Sequence, residues 1–176
     1  MIFVFFPSCK KNAEDTKEVA QERNEDKFAK TQEDDVAFMV AVAEFNLQQA
    51  QLGNLTSVKS TNNEVRSFGA SMEEMHTKNM KDLIAMADSK QISIPTSLTE
   101  DNKKNYNALN KQDIEDFDSE YLDRVIEDHQ EAIKNYTKQS DETDNSDIKS
   151  WLTIQLAMLR EHLDGAKTLQ SKLNRN

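Results

Sequence analysis

The chain has 176 residues, with 22 Lys plus Arg against 32 Asp plus Glu, a formal net charge of −10 and a mean hydropathy of −0.81. Such a charge is repelled by phosphate backbones and anionic bilayers, which argues against nucleic-acid binding, and no apolar run reaches the roughly 20 residues of a membrane-spanning helix. With 3 Gly and 2 Pro there is little to punctuate the chain, so long helices around a single core are expected rather than strands and turns.

The first nine residues, Met1-Ile2-Phe3-Val4-Phe5-Phe6-Pro7-Ser8-Cys9, form an apolar run that stops at the single cysteine and is followed by Lys10 and Lys11. A small residue before a cysteine at the end of an apolar segment is the pattern of a bacterial lipoprotein signal, whose cysteine is lipidated after cleavage. Pro7 is unusual there, and the lack of a basic region before the run predicts that a longer signal precedes Met1. Residues 1–9 therefore read as the remnant of a lipoprotein-type signal. Cys9 is the lipidation site, and the lipid is the membrane partner of a protein facing the periplasm or the cell exterior. Residues 10–32, charged and poor in large apolar residues, read as a solvated tether or a loosely helical leader.

The folded domain is expected over 33–174. A first long helix, about 33 to 60, carries Val36, Val40, Ala43, Leu47 and Ala50 on one stripe with Met39, Val42, Phe45, Leu52 and Leu55 beside it. Thr31 and Asp34 suggest its cap, and Gly53 permits close approach of a neighbour. Thr61-Asn62-Asn63-Glu64 has the form of a capping box and starts a second helix that runs to about residue 90. Pro95 ends that helical stretch, and Ser97-Leu98-Thr99-Glu100 caps a short helix bearing Tyr106 and Leu109. A third long helix, about 113 to 139, and a fourth, about 147 to 173, are separated by the polar turn 140–146. The expected fold is all-α: an antiparallel up-down-up-down four-helix bundle with a short extra helix between the second and third long helices.

The segments Asp34-Asp35-Val36-Ala37-Phe38, Gln51-Leu52-Gly53-Asn54-Leu55, Met72-Glu73-Glu74-Met75-His76, Phe117-Asp118-Ser119-Glu120-Tyr121-Leu122 leading to Asp128-His129, and Leu159-Arg160-Glu161-His162-Leu163 resemble, in order and spacing, the successive motifs of the domain-of-unknown-function 4142 family. The resemblance spans about residues 33 to 170. It implies a ferritin-like four-helix bundle, often exported, with no established biochemical role, and it matches His76, His129 and His162 to three helix-borne histidines and Asp128 to the acid before the third-helix histidine. Met75, Ala157 and Gln49 stand where an acid, a proline and a glutamate are common.

The three histidines are the only ones in the chain, each near the middle of a different long helix, and three imidazoles at one height of a bundle are candidate ligands for Zn or Cu. A di-iron site is not expected. It needs a Glu-x-x-His pair on two helices, and only Glu73 with His76 has that spacing; Ile126 and Leu159 stand at the same offset before His129 and His162. Met72, His76 and Met80 follow at i, i+4, i+8, a spacing that serves a soft ion or a packed core equally. Glu44, isolated in an apolar run, is the candidate carboxylate partner, Glu73 a further candidate ligand, and Asp128 and Glu161 candidate members of a core polar network. The leading expectation is a non-enzymatic, envelope-tethered binding or structural bundle with no assignable protein partner. The alternative is a transition-metal protein built on the histidine layer.

Overall fold

The computed structural model describes residues 16–25, 27, 28 and 30–175, and the side chains of all of these except Lys30 and Thr31. Cys9 and the apolar run before it, and the Thr31 cap, lie outside what is described. Six helices are present among the described residues and no strand: α1 (Lys17–Asn24), α2 (Lys30–Lys59), α3 (Asn63–Ser89), α4 (Glu100–Asn110), α5 (Phe117–Glu142) and α6 (Ser146–Leu173). No helix among them is long and apolar enough to cross a membrane.

Local chemistry sets the helix starts. The Asn62 side chain accepts from the amides of Glu64 and Val65, so α3 is capped one residue later than the Thr61 box implied. Thr99 accepts from the amide of Asn102 at the start of α4, and Asn145 from those of Asp147 and Ile148 at the start of α6. Each bond satisfies a donor that has no partner within its helix. The turn between α5 and α6 is shorter than expected, because α5 continues to Glu142.

Side-chain pairs fix the direction of each long helix. Asn46 with His76 and Asn54 with Glu73 align α2 against α3 in opposite senses. Gln49 with Asp128 and Asp35 with Gln139 do so for α2 and α5. Asn79 with Gln155 and Glu64 with Lys172 do so for α3 and α6, and His129 with His162 and Tyr136 with Trp151 for α5 and α6. Every adjacent pair is antiparallel, so α3 and α5 run the same way and the order is up-down-down-up. This corrects the up-down-up-down order expected from sequence. The cause is the segment 90–116, which is a crossover rather than a turn. It returns the chain along the outside of α2, from Thr99 and Asn102 at the level of Glu44 to the carbonyl of Gln112, which accepts from Lys59.

The segment read as a solvated tether or a loosely helical leader contains α1, which packs on α2. Ala20 is buried, and Asn24 both donates to the carbonyl of Ser93 and accepts from its amide, each at 2.8 Å. That pairing gives a partly buried backbone position its partners, and a composition count does not register it.

The core divides into two apolar clusters. One gathers Met39, Leu83, Ile148, Leu152 and Leu159, and the other Leu52, Met72, Phe117, Tyr121, Leu122 and Val125. Gly53 and Gly69 bring α2 and α3 together: a Cβ on Gly53 would lie 2.5 Å from the carbonyl oxygen of Gly69 and 2.8 Å from the amide of Glu73. Between the two clusters, at mid-height of the long helices, lies a layer of buried polar side chains.

Candidate metal centre

His76 comes from α3, His129 from α5 and His162 from α6, and all three are buried. Their ring centroids stand 5.2 to 5.5 Å apart. One nitrogen from each ring lies within 4.8 Å of the other two.

The hydrogen bonds fix two of the tautomers. His129 Nδ1 lies 2.9 Å from the carbonyl oxygen of Val125, one turn back, so it must donate and Nε2 carries the lone pair. His76 Nδ1 lies 2.9 Å from Asn46 Oδ1, and the amide nitrogen of Asn46 donates to the carbonyl of Val42. The Asn46 oxygen therefore accepts from His76, leaving His76 Nε2 with its lone pair. His76 Nε2, His129 Nε2 and His162 Nδ1 are all buried without a hydrogen-bond partner. Orientation of one ring nitrogen by a fixed acceptor, with the other left bare, is how proteins prepare imidazole for a metal.

Burial keeps these rings neutral. It pushes the His76 pKa well below its ordinary value, with His129 and His162 adding to the effect. Burial, and then His162, push His129 down to about 3, against the Val125 bond. Burial also lowers His162, with Glu161 acting the other way. A neutral imidazole is the form that ligates metal.

A triangle of nitrogens with no side longer than 4.8 Å has a point no more than about 2.8 Å from each, so ligation at 2.0–2.1 Å asks each ring to close in by at most about 0.7 Å. Phe45 of α2 forms the fourth side, edge-on to His76 and His129 with centroids 5.4 and 5.5 Å away. Met72 and Met80, one turn either side of His76, pack into the two different apolar clusters and fill space there.

The carboxylates expected at the centre are elsewhere. Glu44 Oε1 accepts from Thr99 and Asn102 at 2.6 and 3.0 Å while Oε2 pairs with Lys17 at 2.9 Å, so it ties α4 and α1 to α2. Glu73 accepts from Asn54 on the outer face of α2 and α3. Glu161 is exposed and belongs to no core network. Asp128 is partly buried, its pKa raised by that burial against the bond from Gln49, whose amide donates to it at 2.7 Å. The polar contribution of α2 to the core is a pair of amides rather than Glu44. Asn46 and Gln49 are both buried, and the readable signal was two amides at i, i+3 interrupting an apolar stripe.

A family model described as "Domain of unknown function (DUF4142)" matches residues 19–169. The chain belongs to this family. Its matched region takes in most of α1 as well as the four long helices, and so reaches further toward the N-terminus than the motifs read from sequence. Comparison with curated proteins and with solved structures finds no match.

Proposed function

We propose that this DUF4142 protein is a transition-metal-binding helical bundle of the ferritin-like kind, holding one Zn or Cu ion on His76, His129 and His162. One observation carries the reading: imidazoles from three helices bring one nitrogen each within 4.8 Å of the others, and each of the three rings has a buried nitrogen with no hydrogen-bond partner. A buried polar atom left without a partner costs about 1 to 3 kcal/mol. An ion shared by three of them offsets that cost at a single point. Neutral imidazole suits Zn and Cu, and three such ligands leave a coordination position for solvent or a small anion. Among the described His, Cys, Asp and Glu residues, no carboxylate joins the cluster. This donor set differs from that of a carboxylate-rich di-iron centre.

Untagged protein purified without chelator should carry close to one equivalent of Zn or Cu by elemental analysis. The metal-free form should take up one equivalent, with its melting temperature rising, and His129→Ala should abolish both responses. Protein that neither contains nor takes up either ion would refute the reading.

For location, the run ending in Ser8 and Cys9 supports a lipid-anchored envelope protein. Acyl chains on Cys9 in a host that processes the full signal, and release from membranes by Cys9→Ala, are the expected results.

A further inference from the structure

A groove of about 1030 Å³ runs between α2 and α5, with α1 and α4 at its rim. Seven carboxylates line it against two lysines. Lys17 pairs with Glu44 and Lys138 with Glu142, while Lys104 and Lys134 reach Asp101 and Glu131 from outside, so the groove stays net negative. Its apolar wall includes Phe38, Val42, Phe45 and Tyr136. Phe45 is thus shared: it lines the groove, and its ring makes T-shaped contacts with His76 and His129. The negative lining alone would mean little. Beyond this ring, however, lie imidazole nitrogens that have lone pairs and no partner.

We propose that the groove between α2 and α5 is the route by which a metal cation reaches the three histidines, with the Phe45 ring as the movable barrier between groove and site. The inference rests on the metal-binding reading above. A negatively lined cleft concentrates cations and raises association rates by roughly 10 to 10³-fold, an effect that salt screens. Phe45 is partly exposed and packs edge-on against Tyr136 as well as the two histidines. A swing toward the groove would open a path to the site with no displacement of a helix.

The test is stopped-flow uptake of Co(II) and Zn(II) by the metal-free full chain, with release followed after addition of a chelator. In the unaltered protein, association should slow several-fold between low and high salt. Glu131→Gln and Asp34→Asn, both exposed, should together slow association and flatten its salt dependence. Phe45→Ala should speed association and release alike by tenfold or more, because a lowered barrier acts in both directions; loss of packing alone would speed release only. If Phe45→Ala fails to fold, the salt series and the two carboxylate variants still decide the matter. Metal uptake at salt-independent rates, unmoved by the carboxylate variants, overturns the route and leaves the site standing. Absence of uptake in the unaltered protein overturns both.

Discussion

The apolar clusters and the histidine layer between them are equally removed from water, yet they contribute to stability in opposite ways. In the clusters, side chains such as Leu83 and Leu122 bury completely with no polar atom to satisfy. In the layer, three imidazoles are buried with a bare nitrogen each, and Gln49 buries a carbonyl oxygen that has no partner. A polar group without a partner opposes folding. The clusters above and below therefore hold together a layer that the fold on its own would not favour, which is the usual relation between a scaffold and a site.

The sharpest way to break this contrast is to cut into the scaffold. Leu122→Ala and Leu83→Ala, one in each cluster, should each lose about 2 to 5 kcal/mol of unfolding free energy in denaturant titrations. A loss under 1 kcal/mol at both would mean that the clusters do not carry the fold.

Next in size is the ion. At a free concentration 100 times its dissociation constant, bound metal should add about 2.7 kcal/mol, by mass action on the folded state alone. His129→Ala should remove that gain.

The layer should also be the acid-sensitive part. Its histidines have pKa values lowered on folding, from 6.5 to about 3 for His129, so below 6.5 the unfolded chain takes up protons that the folded chain resists. The stability of the metal-free protein should be fully present above pH 6.5 and be lost progressively as the pH falls toward 3, with His129→Phe flattening the profile over that window. An unchanged profile would show that His129 is not held neutral by burial.

His162→Leu should move stability the other way from the leucine truncations. It removes an unpartnered nitrogen and leaves volume nearly unchanged, so the metal-free protein should gain about 1 kcal/mol while its metal response disappears. Lys172→Ala marks the baseline: its side chain is 51 % exposed and pairs with Glu64 on the surface, so unfolding should shift by less than about 0.5 kcal/mol.

Much of this contrast was legible in the sequence. Apolar periodicity located the four long helices, and of the stripes read on the first of them Val36, Val40, Ala43, Met39, Val42, Leu52 and Leu55 are buried. The three histidines were readable as a layer because mid-helix position is a matter of counting. Which ring atoms lack partners was not readable, since rotation about each helix axis and the placing of Asn46 depend on packing between helices. The direction of α5 was missed for another reason. Helix periodicity says nothing of how a chain enters a helix, and only the length of the 90–116 segment, far beyond the roughly 2 to 8 residues of a bundle turn, signalled a crossover. The helix α1 was legible only as the helical alternative for the leader, and its docking was not, because that rests on Asn24, Ala20 and the Lys17–Glu44 pair, contacts made at long range.

The up-down-down-up order also bears on how the protein assembles. The most extensive packing is within two hairpins, α2 with α3 and α5 with α6, each joined by a short turn, and such sequence-local contacts form fastest. His76 rides on the first hairpin, His129 and His162 on the second. No hairpin by itself holds the triad, so the histidines meet only when the two halves dock across the crossover. An ion held there would rivet the two halves together after each had formed, and its capture would time the last step of folding.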